Sequence, residues 1–263
     1  VRNIQLIFFL SLIFVLTANH PAISQSKLRT VVIDAGHGGF DPGNLGSFSK
    51  EKDVALKIAL KVGEYINKYI KGVKVIYTRK DDRFIDLKER AEIANKNNAD
   101  LFISIHCNSV EGPAAKRAYG TETWVMGLHA QNRNFPEVAK KENAAILLED
   151  NYKDNYEGFD PESPESHIIF SLFQNAYREN STLFAKKIED QFKFRVGRKS
   201  RGVKEAGFVV LWKAGMPSVL IETGFLTYPP EERYLNSEEG QVYIASGIFR
   251  AFRDYKNEIE ALN

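Results

Sequence analysis

The sequence predicts an α/β fold: a single domain with a mostly parallel twisted sheet, helices on both faces, and a helical insertion. Three observations carry this. Short apolar runs alternate with longer stretches of helical periodicity, the rhythm of strands joined by crossover helices. The run 99–107, ADLFISIHC, is apolar enough along its length to be covered on both faces, as a parallel-sheet strand is. The residues able to do chemistry follow directly on such runs, where open α/β sheets bind their ligands.

In chain order, residues 28–35 form the first strand, closing on Gly36-His37-Gly38-Gly39. Residues 51–70 have Val54, Ile58, Val62, Tyr65, Ile66 and Tyr69 at helical spacing, and Gly72 closes the helix. Residues 73–78 are a second strand. Residues 87–97 are a second helix, with Leu87, Ala91 and Ala94 on one face. Strands at 99–107 and 119–126 follow. The rhythm then breaks over 127–180, about fifty residues that read as an insertion, since core connections are usually a handful of residues long. Within it, 136–149 predicts an amphipathic helix with Pro136 in its first turn, and an acidic loop runs over 150–165. Residues 181–194 are helical, 207–211 and 218–221 short strands, and 238–255 the last helix.

The N-terminal residues are of another kind. Arg2 precedes the apolar stretch 4–16, IQLIFFLSLIFVL, and Ala22 and Ser24 stand two apart beyond it. This is the layout of a secretory signal peptide, shorter than the ~20 residues that span a bilayer, so residues 1–24 are expected to be removed and 25–263 to form the working domain. An uncleaved anchor is the alternative. Export to the periplasm, or secretion to the wall, follows as an expectation.

Composition narrows the function classes. The 263 residues carry 36 basic and 34 acidic groups, a net charge of +2, without the clustered basic excess of a nucleic-acid binder. The single cysteine, Cys107, leaves no intramolecular disulfide, so the fold rests on its own core, and one chain is expected to act as a monomer.

The chemistry concentrates at strand ends. His37 follows the first strand, His106 ends the third, Glu222 follows the run 218–221, and Glu51 opens the first long helix. In a parallel sheet these residues converge on one edge. Two histidines and one carboxylate are a catalytic zinc set with a fourth position open, and a further carboxylate can move the proton. His37, Glu51 and His106 are therefore assigned to one Zn²⁺, and Glu222 to acid–base work. By the spacing alone, Glu51 is better explained as a charge at the positive end of its helix than as a ligand. A histidine in an apolar strand needs partners for both nitrogens, and a carboxylate at a buried strand end is costly without one. Side chains alternate along a strand, so if His106 faces the site Cys107 faces away, as a small hydrophobe. Arg201, in what reads as a loop beside Gly202, is a candidate for a substrate carboxylate. His20, His129 and His167 fall in the leader and the insertion and are expected to be surface residues.

Several stretches together resemble one family: VVIDAGHGGFDPGNLG, KEKDVALKIA, TRKDDRFIDLKERAEIANKNNADLFISIHCNS, YGTETWV, RGVKEAGFVVL and PSVLIETGFLTYPPEERYL. In order and spacing they resemble the zinc-dependent N-acetylmuramoyl-L-alanine amidases of septal cell-wall cleavage. The resemblance implies zinc ligands at His37, Glu51 and His106, with a catalytic glutamate at Glu222. It implies a peptidoglycan substrate, cut between N-acetylmuramic acid and L-alanine during daughter-cell separation. One departure is Cys107-Asn108, where the family commonly shows small residues and Asp; neither position is a ligand there. A zinc carboxypeptidase-like enzyme acting on stem peptides is the rival reading, and a wall-binding module without activity the rival from another class. Some septal amidases carry an insertion whose helix covers the site until an activator protein displaces it. Lys140-Lys141-Glu142-Asn143-Ala144 resembles that segment, which implies Glu142, or alternatively Glu149, as the residue that fills zinc's fourth position; the other reading is a helix that packs on the sheet with its glutamates facing water.

Overall fold

The computed structural model describes residues 27–127, 137–150, 152–156, 158–160, 163, 165 and 177–261. The expected signal peptide, Pro136 and the histidines at 20, 129 and 167 lie outside the described residues.

Six strands form one sheet: β1 (Thr30–Ala35), β2 (Lys74–Tyr77), β3 (Leu101–Asn108), β4 (Thr121–Met126), β5 (Ser200–Ala206) and β6 (Ser218–Phe225). Their spatial order is β2-β1-β3-β6-β4-β5. The first four in that order run parallel, β4 pairs antiparallel with β6, and β5 follows β4 in parallel. The mostly parallel α/β fold expected from the sequence is therefore present, with one reversal of direction. Every residue of β3 and β6 is buried, the consequence of apolar strands covered on both faces.

Among the described residues the helices are α1 (Glu51–Tyr69), α2 (Leu87–Lys96), α3 (Glu137–Asn143), α4 (Tyr152–Asn155), α5 (Arg178–Gln191), α6 (Val209–Trp212), α7 (Pro229–Asn236) and α8 (Glu238–Ala261). On one face Val31, Ile33, Ile103, Ile105 and Ile221 pack with α1, α5 and α8 through Ile58, Ile188 and Phe252. On the other, Val32, Phe102, Leu220 and Trp124 meet α2, α6 and the insertion through Ala94, Leu211 and Ile146. Adjacent residues of one strand thus enter opposite cores, as the two-residue period requires.

Three expectations need correction. Residues 207–211 are not a strand: the strand is Ser200–Ala206, and Val209–Trp212 coil into a short helix. A brief apolar run has no periodicity to separate the two forms, whereas β5 is a charged edge strand that hydropathy does not mark. The helix expected over 136–149 is α3 followed by a tighter turn, Ala144–Leu148. The last helix extends beyond 255 to Ala261, and α7 was not foreseen.

Candidate metal centre

Parallel β1, β3 and β6 deliver three side chains to one edge. After β1 the chain turns sharply: His37 takes a left-handed φ of 59°, and Gly38 and Asp41 then exchange backbone hydrogen bonds at 3.0 and 3.1 Å. The turn returns Asp41 to its histidine, whose Nδ1 lies 2.8 Å from Asp41 Oδ2. That carboxylate selects the tautomer in which Nδ1 carries the proton and Nε2 is free to ligate. Asp41 went unnoticed in the sequence, although a carboxylate four residues after a glycine-flanked histidine was a usable signal.

Gly36 lies against the other histidine. A Cβ there would come 2.4 Å from His106 Cε1, so the close approach of β1 to β3 at this level requires glycine. Gly36→Ala is expected to displace the His106 ring, weaken metal binding, and cost about 1–3 kcal/mol of stability as an overpacked site. Urea unfolding of the metal-free protein and a chelator competition would measure the two effects separately.

Glu51 starts α1, yet its carboxylate turns into the site. Oε2 accepts from Asn44 N at 2.8 Å and Asn44 Nδ2 at 2.9 Å, and Oε1 accepts from Cys107 N at 2.8 Å. The same oxygens stand 3.2 Å from His37 Nε2 and 3.0 Å from His106 Nδ1. Its helix position aims it, but its partners lie elsewhere. Glu142, from α3, completes the group: its Oε2 is 3.2 Å from His37 Nε2 and 2.8 Å from His106 Nδ1. One ligand atom from each of His37, Glu51, His106 and Glu142 falls within 4.8 Å of the others, and all four residues are buried. Glu149, the alternative, is not among them: it accepts from Leu87 N at 2.8 Å and from Tyr156 Oη at 2.6 Å, at the start of α2.

Glu222, on β6, is the register partner of His106 on β3 and of Glu122 on β4. It is fully buried, and neither carboxylate oxygen has a hydrogen-bond partner among the described residues. Burial first, then the charges of Glu142 and Glu51, push its pKa well above the carboxylate range. The imidazoles respond oppositely. Burial pulls His106 down, but Glu142 and Glu51 outweigh it and carry it up to about 10, and His37 is raised by the same two carboxylates. Burial would raise Glu51, and the charges of His37 and His106 reverse that and lower it.

These features suit a dication. Two buried carboxylates converge on two buried imidazoles, with Glu142 Oε2 and Glu51 within 3.2 Å of both rings, so the metal-free imidazoles must carry protons to balance them. Buried charge in this arrangement calls for a cation, and two nitrogens with carboxylate oxygens are a zinc donor set.

Two further expectations resolve here. Cys107 does face away from His106, into the apolar cluster with its Sγ 3.3 Å from Thr223 Oγ1, and burial holds it as a thiol. Arg201 is on strand β5 rather than in a loop. It pairs with buried Glu122, which Lys204 Nζ also reaches at 2.9 Å.

The N-acetylmuramoyl-L-alanine amidase family profile matches residues 31–254. The chain is 35% identical to N-acetylmuramoyl-L-alanine amidase AmiA of Escherichia coli over 236 residues, covering 88% of this chain and 78% of that protein. Among solved structures, the N-acetylmuramoyl-L-alanine amidase of Clostridium difficile superposes with a TM-score of 0.66 at 30% identity, covering 88% of this chain and 98% of that one. The CwlD amidase of Clostridioides difficile, solved in complex with the GerS lipoprotein, gives 0.62 at 27% identity, covering 88% and 99%.

Proposed function

The chain belongs to the N-acetylmuramoyl-L-alanine amidase family, and from that premise we propose how its own residues cut peptidoglycan. The bond is the amide between the lactyl group of N-acetylmuramic acid and L-alanine of the stem peptide. His37, Glu51 and His106 would hold one zinc ion, with Glu222 as the acid–base group. The observation that carries this reading is the buried His37–Glu51–His106 cluster with unpartnered Glu222 at its flank.

Zinc bound there supplies a Lewis acid that polarises a carbonyl and brings the pKa of water near ~7. The protein's residues do the remainder. Asp41 orients His37, and Asn44 with the Cys107 amide orients Glu51. Glu222 takes the proton from the attacking water and returns it to the departing alanine nitrogen. A raised pKa suits a carboxylate that must hold a proton between those two events. Exported wall remodelling at daughter-cell separation, in the periplasm or at the wall, is the setting we propose, supported by the signal-like residues 1–24.

Digestion of purified muropeptides by the zinc-loaded chain tests the reaction. Mass spectrometry should find free stem peptides beginning with L-alanine. Stems shortened from their C-terminus instead would make the enzyme a carboxypeptidase and overturn the proposal.

The same reading extends to regulation. Glu142 occupies the space beside both imidazoles where a substrate carbonyl must enter, and a cleft of about 420 Å³ lined by His37, Asn44, Glu142 and Leu148 opens outward beside it. α3 would then be a cover, and a protein that draws it aside would be an activator; the lipoprotein complex of the similar CwlD amidase supports such a partner. Glu142→Ala is expected to raise the initial rate of dye release from labelled peptidoglycan without any partner. A rise of roughly tenfold corresponds to a segment open about a tenth of the time. Equal or lower rates in a folded, zinc-loaded variant would show that α3 does not inhibit.

A further inference from the structure

Two arginines lie under the metal centre, and none of the chemistry above uses them. Arg79, just after β2, and Arg90, in α2, are 2% and 1% exposed. Arg79 donates through Nε to Ala35 O at 2.9 Å, through Nη1 to Asp81 O at 3.1 Å, and through Nη2 to Gly36 O at 2.7 Å and Lys52 O at 2.8 Å. All four acceptors are backbone carbonyls, so this buried charge is held by peptide dipoles rather than by a bonded carboxylate. Arg90 donates through Nη1 to Ala35 O at 2.8 Å and through Nη2 to His37 O at 2.9 Å, and pairs with Asp34 at 2.9 Å. The carbonyls of Ala35, Gly36 and His37 are therefore all held by guanidinium groups.

The contacts span the ligand-bearing segments. Arg79 Nη2 bridges the His37 turn to Lys52 O, one residue after Glu51 in the first turn of α1. Asp34, paired with Arg90, accepts from Ser104 Oγ at 2.6 Å, two residues before His106 on β3 and on the same side of that strand. The His37 turn, the Glu51 helix and the His106 strand are tied through one buried network. A left-handed non-glycine residue persists only where its surroundings over-determine it, and His37 is such a residue.

We propose that Arg79 and Arg90 are positioning residues for the metal centre: they lock the His37 turn and hold it in register with Glu51 and His106. The proposal rests on the metal reading given above. A guanidinium fork can engage several carbonyls in one plane; an ammonium keeps the charge but not that geometry. Lysine at either position should therefore leave a folded protein with a looser ligand set.

The test uses the full chain with zinc and cobalt(II) as probes. Arg79→Lys and Arg90→Lys are expected to weaken zinc in a chelator competition by roughly 10–100-fold, the usual effect of losing support behind a ligand. The visible absorption bands of the cobalt(II)-loaded variants should change, because those bands report ligand geometry. Arg250→Lys, which alters an arginine of α8 bonded to Gln191 and Ser246 and outside the network, should change neither. Zinc affinity and cobalt bands like the wild type in both folded lysine variants would overturn the proposal. If those variants do not fold, Ser104→Ala removes the Asp34 link alone and should still weaken zinc several-fold; wild-type affinity there would assign the network to folding and overturn the proposal. A wild-type chain that takes up no zinc would instead overturn the metal reading, and this proposal with it.

Discussion

Glu222→Gln is expected to keep its zinc and lose turnover by ~10²–10⁴-fold, the usual share of a general acid–base group. Glutamine preserves the shape of the side chain in a fully buried place beside His106, so the fold and the ligand set should persist. What disappears is the group that takes up a proton. The affected quantity should be kcat rather than KM, because in the proposed mechanism Glu222 makes its contribution while the proton moves. Metal analysis and muropeptide kinetics on the same preparation would decide it. A variant that loses its zinc would make Glu222 a ligand and would reassign the remaining carboxylates of the cluster. A variant that keeps full activity would remove Glu222 from the mechanism.

The second large effect is expected at the histidines. His37→Ala and His106→Ala should each reduce zinc from about one per chain to background, with loss of activity, and the double variant should bind none. The proposed two-nitrogen, one-carboxylate set has no spare member, and Glu142 belongs in this proposal to the cover rather than to the ligand set. Inductively coupled plasma analysis after dialysis would measure this, and full zinc in the double variant would defeat the assignment. Metal binding should also depend on pH with a definite sign. In the metal-free site His106 is held protonated up to about 10, and His37 is raised as well. Both must release protons to ligate, so zinc affinity should rise with pH across neutrality and fall in acid. An affinity flat between pH 6 and 8 would contradict the protonated metal-free site.

Much of the centre was legible because its parts are local. A glycine-flanked histidine after a strand, and a histidine and a glutamate late in apolar runs, are patterns of a few residues each, although β6 continues through Glu222 to Phe225 rather than stopping at 221. One sheet rule brings them to a common edge. Glu51 was less legible: a carboxylate at a helix start has a satisfactory role of its own, and only its bonds to Asn44 and Cys107 distinguish the two uses. Arg201 was misread because Gly202 looked like a loop residue, whereas β5 is an edge strand whose charged side chains answer buried Glu122.

By itself the sequence determined the alternation of strands and helices, the two faces of the core, and the approach of His37, His106 and Glu222. Each follows from hydropathy period and strand direction, which act over a few residues. Tertiary structure alone decided the reversal of β4, the placement of Glu142 rather than Glu149 beside the two imidazoles, and the burial of Arg79 and Arg90. A glutamate facing water and one facing two imidazoles have the same hydropathy. Which it becomes depends on segments distant in the chain packing against each other, where the desolvation cost of every buried charge must be met by a partner.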